Sequence, residues 1–308
     1  MRKVSATLVL FAVLGAGCSA KTAGAPLTKQ SAATFPLTLT AANGSVTIAS
    51  KPARIVSLSP TATEMLFAIG AGAQVVAVDD QSNYPATAPK TKLSGFQPNV
   101  EAIATYHPDL VVASDDVAHL VASLTRISIP VMLEPAAKTI DDSYSQITQL
   151  GQATGHSAEA TALTTSMKSR IQALIAGVPA FTTPPTYYHE LDNTFFTATS
   201  HTFIGSVYGL LGLKNIADPA DKKASGYPQL SAEYIIKANP QIIFLADTKC
   251  CGQTLASVKK RPGWDELSAV KAGRVILLDD DVASRWGPRI VDFLQIVENA
   301  LKDLKQAA

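Results

Sequence analysis

The chain has 308 residues, of which 47% are hydrophobic, and its formal net charge at pH 7 is +1. This length is typical of two domains, and the apolar content allows each a buried core, which excludes a disordered chain. The near-neutral charge lacks the basic surplus of a nucleic-acid-binding protein, so we expect no nucleic acid among the partners.

The first residues carry an export signal. The positively charged Arg2 and Lys3 precede an apolar run from Val4 to Gly17. This run is too short to span a bilayer and is typical of a secretory signal. Small residues then lead to Cys18, as in a bacterial lipobox, except that Gly15 stands where leucine is usual. We expect residues 1–18 to be a lipoprotein signal peptide with Cys18 lipidated; an ordinary signal with an incidental cysteine is the alternative.

A tether and a hairpin follow the signal. Residues 19–35 are rich in alanine, threonine, serine and lysine, a composition typical of a flexible linker that would hold a folded body near a membrane. Residues 37–40 and 46–48 then alternate apolar and polar side chains around Asn43-Gly44. This pattern predicts a β-hairpin with a favoured Asn-Gly turn.

Strands alternate with helices in the rest of the chain, which predicts mostly parallel sheets with right-handed crossovers. In residues 36–155, the predicted strands are 54–59, 75–79, 110–113 and 131–133, and the helices are 61–70 and one from about 100. In residues 179–308, the predicted strands are 187–190, 241–246 and 274–278, and the helices are 204–211, 232–238 and 290–305. We expect one α/β lobe from each range.

A long helix is predicted between these lobes, over residues 156–178. Apolar residues recur there at intervals of three and four and form one stripe: Ala160, Leu163, Met167, Ile171 and Leu174. This is the helical period. The two halves also repeat one pattern of a short helix, a proline, a buried-type strand and an acidic residue. The matching residues are Glu101, Pro108 and Asp115 in the first copy, and Glu233, Pro240 and Asp247 in the second.

Short catalytic signatures are missing from the sequence. It contains no G-x-S-x-G elbow, P-loop or Cys-x-x-Cys, so hydrolase, kinase and redox functions lack their minimal motifs. The five histidines show no paired spacing, and we predict no metal site and no catalytic residue. His189, which ends a predicted strand beside Glu190, is the one histidine that we keep as a ligand-contact candidate.

Two pairs of residues each have two possible interpretations. Cys250 and Cys251 are adjacent in the loop after a predicted strand; we expect a vicinal disulfide that stiffens a cleft loop, with free thiols as the alternative. Glu101 and Glu233 each stand two residues after a helix-capping residue. Each therefore complements a helix N-terminus or, with the other, forms a paired surface site.

Aromatic and charged residues collect on loops that should face the gap between the lobes. The set comprises Phe96, Phe196, Tyr227, Asp281, Arg285 and Trp286. Together they fit an apolar cleft with a few polar anchors.

From residue 54 to the terminal helix, the chain resembles the periplasmic binding proteins that deliver cobalamin and iron–siderophore complexes to ABC importers. The matching stretches are RIVSLSPTATEMLFAIGAG, DDQSNYP, GFQPNVEAIATYHPDLVV, FFTATSHTFIGSVYGLLG, YPQLSAEYIIKANPQIIFL and SRWGPRI. The resemblance implies an α/β fold with two Rossmann-like lobes joined by one long helix, the class III architecture. It also implies a metal-chelate ligand in the cleft, little closure on binding, and no cofactor of the protein's own.

The resemblance gives the paired glutamates a role. In this family one glutamate on each lobe docks into an arginine pocket on the permease dimer that works with the ATPase subunits, and the matching residues are Glu101 and Glu233. It implies a monomeric, lipid-anchored protein at the outer face of the cell membrane, and a transport function. An enzyme or chelatase on the same fold would need cysteines spread over both halves, whereas here Cys250 and Cys251 are adjacent.

The ligand is predicted less directly. The residues expected to line the cleft are Gln81, Phe96, Glu190, Phe196, Tyr227, Asp281, Arg285 and Trp286. Gln81 and Ser114 stand where cobalamin binders place aromatic residues, whereas Arg285 is the one clear basic residue for an anionic siderophore. We expect a corrinoid, with a ferric siderophore or haem as the alternative.

Overall fold

The computed structural model describes residues 34–307. The predicted signal peptide, its Cys18 and residues 19–33 of the predicted tether lie outside this range. The described chain begins with an antiparallel hairpin of β1 (Leu37–Ala41) and β2 (Gly44–Ile48), as predicted. The Asn43 side chain donates to the Val131 carbonyl (2.9 Å) and accepts from the Leu133 amide (3.0 Å). The turn asparagine therefore also ties the hairpin to the first lobe.

The first lobe is a four-stranded parallel sheet with the order β4-β3-β5-β6. Its strands are β3 (Ile55–Leu58), β4 (Val75–Val78), β5 (Leu110–Ala113) and β6 (Val131–Leu133). Its helices are α1 (Pro60–Ala68), α2 (Val100–Ala104), α3 (Leu120–Thr125) and α4 (Ile140–Thr154). Every strand predicted for this half is present.

Helix α4 is the largest element that the sequence prediction lacks. A capping box begins it: the Asp142 amide donates to Thr139 Oγ1 (3.2 Å), and the Thr139 amide donates to Asp142 Oδ2 (2.9 Å). Gly155 ends it with a φ of 71°, a left-handed conformation that glycine adopts without strain. The spacing of Thr139 and Asp142 was the sequence signal for this helix.

The long connecting helix is α5 (Ser157–Gly177), and its 21 residues span about 32 Å at 1.5 Å per residue. Ala160, Met167, Ile171 and Leu174 of the predicted stripe are buried, and Leu163 is partly buried. This face packs against α4 on one side and against the last helix of the chain on the other. Helix α5 therefore contacts helices of both lobes.

The second lobe repeats the topology of the first, with the parallel order β10-β9-β7-β8. Its strands are β7 (Thr186–Glu190), β8 (Lys214–Asn215), β9 (Ile242–Leu245) and β10 (Val275–Leu277). Its helices are α6 (Phe203–Leu210), α7 (Ala232–Ala238), α8 (Leu255–Lys259), α9 (Ser268–Lys271), α10 (Asp280–Ser284) and α11 (Ile290–Gln306). In each lobe the first strand lies between the second and the third, which confirms two similar halves.

The largest apolar core belongs to both lobes. It joins buried residues of α1, α4 and α5 to buried residues of α6 and α11, for example Leu66, Ile147, Ile171, Val207 and Leu294. Separating the lobes would expose this surface to water at a cost of roughly 25 cal/mol per Å². Large hinge motions are therefore disfavoured.

Candidate ligand-binding cleft

Residues that follow β4 of the first sheet contact residues that follow β10 of the second sheet. Open α/β sheets place ligands at the carboxyl ends of their strands. Direct contacts join the two sides: Asn83 Nδ2 donates to Asp281 Oδ2 on α10 (2.9 Å), and Trp286 Nε1 donates to Gln146 Oε1 on α4 (2.8 Å). The segments after the strands of both lobes therefore form one interlobe cleft.

A cluster of ion pairs lies in this cleft. Glu64 on α1 is 2% exposed, and its carboxylate accepts from Arg285 Nη1 (2.8 Å) and from Arg289 Nε (2.9 Å). Arg285 also donates to Asp281 Oδ1 (2.7 Å) and to Asn83 Oδ1 (2.9 Å). We call these five residues the interlobe ion cluster. Sequence reasoning missed Glu64 and Arg289, although a glutamate on an otherwise apolar helix face was a signal.

The cluster changes the expected role of Arg285. This side chain is already bonded to two carboxylates and is buried, so it is not the free cation that the sequence suggested for an anionic ligand. Partial burial opposes the charge on Asp281, but hydrogen bonds from Lys249 and Asn83 hold the pKa of its carboxyl below the ordinary value. Gln81 joins the cluster through its backbone carbonyl, which accepts from Arg285 at 3.0 Å.

A pocket of about 420 Å³ opens between the lobes beside this cluster. The first lobe contributes residues 136–138, and the second contributes His201, Tyr227 and Trp286 among others. Tyr227 is 47% exposed, and partial burial raises the pKa of its phenol. The bond to Gln146 fixes the Trp286 indole. The structure thus brings two of the predicted cleft aromatics together.

The other two predicted aromatics lie on flanking loops. Phe96 is 77% exposed in the segment before α2, and Phe196 is 39% exposed after β7. Both stand on the carboxyl side of their sheets, one on each lobe. Neither lines the pocket of about 420 Å³.

Glu190 and His189 lie inside the second lobe. Both are fully buried. Arg261 holds the Glu190 carboxylate with two hydrogen bonds of 2.6 Å, and His189 Nδ1 lies 2.8 Å from the Tyr208 hydroxyl. Burial lowers the pKa of His189 to about 3. Neither side chain reaches the cleft surface, so the expected ligand contact is corrected to a structural role for both.

Asp247 lies two residues after β9, at the start of the loop that carries the cysteines. It is fully buried, and both carboxylate oxygens lack a hydrogen-bond partner within the described part of the chain. Burial, with the nearby Glu190, raises its pKa to about 7. Further along this loop, the exposed Cys250 and Cys251 form a vicinal disulfide in the structure. The Asp280 carboxylate accepts the Cys250 amide at 2.9 Å and so holds this loop.

Glu101 and Glu233 occupy matching places on the two lobes, in the first turns of α2 and α7. Both are exposed. The Asn99 side chain caps α2 by accepting from the Ala102 amide (2.9 Å). The Ser231 side chain caps α7 in the same way, by accepting from a backbone amide of that helix. The backbone amide of Glu233 itself, with Ser231, lowers the pKa of that carboxyl. Each glutamate can therefore complement the N-terminus of its helix and also belong to a paired surface site.

Residues 34–307 contain neither a cluster of metal ligands nor a membrane-spanning helix. No group of three or more His, Cys, Asp or Glu side chains there is placed to hold a metal ion. Within the same residues, no helix combines the length and the apolar content that crossing a membrane requires.

Two α/β lobes of one topology, a single long helix between them and a cleft at their carboxyl edges define the class III fold of binding proteins. The chain belongs to the periplasmic binding protein family, whose model matches residues 55–282. This confirms the resemblance predicted from the sequence. The protein is a substrate-binding component of an ABC importer.

Named relatives cover nearly the same span. The ABC transporter substrate-binding lipoprotein YvrC of Bacillus subtilis, itself uncharacterised, is 33% identical over 93% of this chain and 92% of its own. A cobalamin-binding protein of Halobacterium salinarum is 33% identical over 87% of this chain and 75% of its own. The crystal structure of the periplasmic vitamin B12 binding protein BtuF of Vibrio cholerae superposes with a TM-score of 0.68 at 27% identity, covering 82% and 98% of the two chains.

Proposed function

We propose that this protein captures a corrinoid in the interlobe cleft, outside the cytoplasm, and delivers it to an ABC permease. The observation that carries the proposal is the open pocket with the Tyr227 and Trp286 rings on one side and residues 136–138 on the other. Flat aromatic faces suit the apolar faces of a large macrocycle. Relatives that are named for cobalamin and vitamin B12 support the same ligand class.

The continuous core between the lobes agrees with a bulky ligand. Because the lobes share buried side chains of α1, α5 and α11, the cleft is formed before binding and needs little closure. A ligand that fills a preformed cleft loses less free energy to ordering the protein.

The proposal includes anchoring and docking. Cys18 would carry the lipid that keeps the body at the outer face of the membrane. Glu101 and Glu233, exposed at equivalent helix starts on the two lobes, would enter the arginine pockets of the permease dimer. Matched placement on both lobes is what a two-subunit permease requires.

Haem is the second candidate, because His201 and Tyr227 line the same pocket. Imidazole and phenolate both ligate haem iron in proteins. The exposed Lys138 lies in the same lining and would suit a ligand carboxylate. A single pocket therefore offers features for either macrocycle.

Binding to the full chain in detergent separates the two candidates. Cyanocobalamin, cobinamide, haemin and a ferric hydroxamate are titrated by calorimetry and difference absorbance. We expect saturable binding of both corrinoids with a shifted corrin spectrum, and no haemin binding. The opposite result is haemin binding without corrinoid binding, with a Soret shift that is lost in Tyr227→Phe or His201→Ala. That result would overturn the corrinoid assignment and favour haem.

A further inference from the structure

Glu134 is a buried acid at the carboxyl edge of the first sheet, and no side chain or backbone group of residues 34–307 is hydrogen-bonded to its carboxyl Oε1. It follows β6, its amide donates to the Ala113 carbonyl (2.8 Å), and its side chain is 3% exposed. Its Oε1 is sealed from solvent without a hydrogen bond. Burial raises the pKa of this carboxyl to about 8. An unpaired buried carboxyl costs free energy, which a ligand that supplied a partner would offset.

The surroundings of Glu134 adjoin the cleft. It lines a recess of about 350 Å³ together with residues 136–138 and Gln146. Residues 136–138 also line the interlobe pocket, and Gln146 holds the Trp286 indole there. The charged neighbours in the recess are Lys138 and Asp142. Asp142 is already occupied by the backbone amides of Lys138 and Thr139.

We propose that Glu134 is a specificity-determining residue that hydrogen-bonds to a neutral amide on the rim of the ligand and disfavours a carboxylate there. The inference rests on the proposed corrinoid function. A protonated carboxyl both donates and accepts, which matches a primary amide, whereas a ligand carboxylate only accepts and adds negative charge beside a buried acid. Corrinoids carry primary amides around the ring, and haem carries carboxylates.

The test compares one corrin core with two kinds of rim. Cobinamide carries amides, and cobyrinic acid carries carboxylic acids at the same positions. Both are titrated against the full chain in detergent, for the wild type, Glu134→Gln and the control Glu266→Gln, which changes an exposed acid of the second lobe. The wild type should prefer the amide ligand. Glu134→Gln should reduce that preference about tenfold, because glutamine donates to a carboxylate without charge, and the control should leave it unchanged.

The outcomes separate this inference from the proposed function. No binding of either corrinoid by the wild type would overturn the corrinoid assignment. Corrinoid binding with the same preference in wild type and Glu134→Gln would overturn the role of Glu134 alone. If Glu134→Gln does not fold, Glu134→Asp replaces it, since it keeps the acid but retracts it by one methylene. It should weaken cobinamide binding, and unchanged affinity for both ligands would again exclude Glu134.

Discussion

Arg285 Nη1 lies 2.8 Å from Glu64 Oε1, so that a side chain of the second lobe is bonded to a side chain of the first across the cleft. Arg289, at the N-cap of α11, binds the same carboxylate. Together with the shared apolar core, these bonds fix the distance between the lobes. We therefore expect the cleft to change little when a ligand binds.

Removing Glu64 should destabilise the fold strongly. Glu64→Ala would leave the buried Arg285 and the partly buried Arg289 without their shared carboxylate, and breaking a buried ion pair from one side costs about 3–5 kcal/mol. Denaturant unfolding measures the loss. The matched control is Glu266→Ala, which removes an exposed partner of Lys271 and should cost less than about 1 kcal/mol. Equal effects of the two variants would contradict the importance of the cluster.

Tyr227 should contribute directly to ligand affinity. Tyr227→Ala removes an aromatic face that is half-exposed in the interlobe pocket, and we expect about a tenfold or larger rise in the corrinoid Kd. Calorimetry on the full chain gives this value. Ile127→Ala, which changes a residue that is similarly exposed outside the pocket, is the control. Unchanged affinity in Tyr227→Ala would place the ligand elsewhere.

Asp247 should make the fold less stable as pH rises. Its folded-state pKa is about 7, above the ordinary 3.8, so between these values the folded protein binds more protons than the unfolded chain. The contribution of Asp247 to the free energy of unfolding is therefore fully present below about pH 4 and is lost as pH rises through 7. Burial is the largest cause of the raised pKa; the nearby Glu190 also opposes the charge, and Arg261 favours it.

Asp247→Asn tests this directly, because the amide cannot ionise. The variant should raise Tm relative to the wild type by several degrees at pH 8 and by much less at pH 5. Asp303→Asn, at an exposed position on α11, serves as the control. A difference between variant and wild type that is the same at both pH values would show that Asp247 does not titrate in this window.

The cysteine loop gives a chemical prediction. If Cys250 and Cys251 are paired as in the structure, the unreduced protein should show no titratable thiol from this loop, and reduction should release two. Thiol titration before and after reductant measures this, with Cys250→Ser/Cys251→Ser as the blank. Two free thiols before reduction would show that the pair is open in solution.

The sequence predicted the sheets better than it predicted the cleft. Strands β5 and β9 are four-residue apolar runs, buried at every position, so composition alone marks them. Helix α4 escaped because its polar residues masked the apolar face, although Thr139 and Asp142 marked its start. The interlobe ion cluster joins residues 221 positions apart, and no local pattern reveals such a pair. Glu190 looked like a cleft residue because it ends a strand, yet Arg261 holds it inside the lobe.

Charge reversal at the paired glutamates separates docking from binding. Glu101→Lys together with Glu233→Lys should abolish uptake by cells, because the proposed docking would bring each lysine against arginine and like charges repel at close range. Corrinoid affinity of the purified double variant should stay unchanged, since both residues lie on the first turns of α2 and α7 and outside the pocket lining. Glu159→Lys, an exposed reversal on α5, should leave uptake intact. A double variant that loses affinity, or that still supports uptake, would exclude these glutamates as the docking pair.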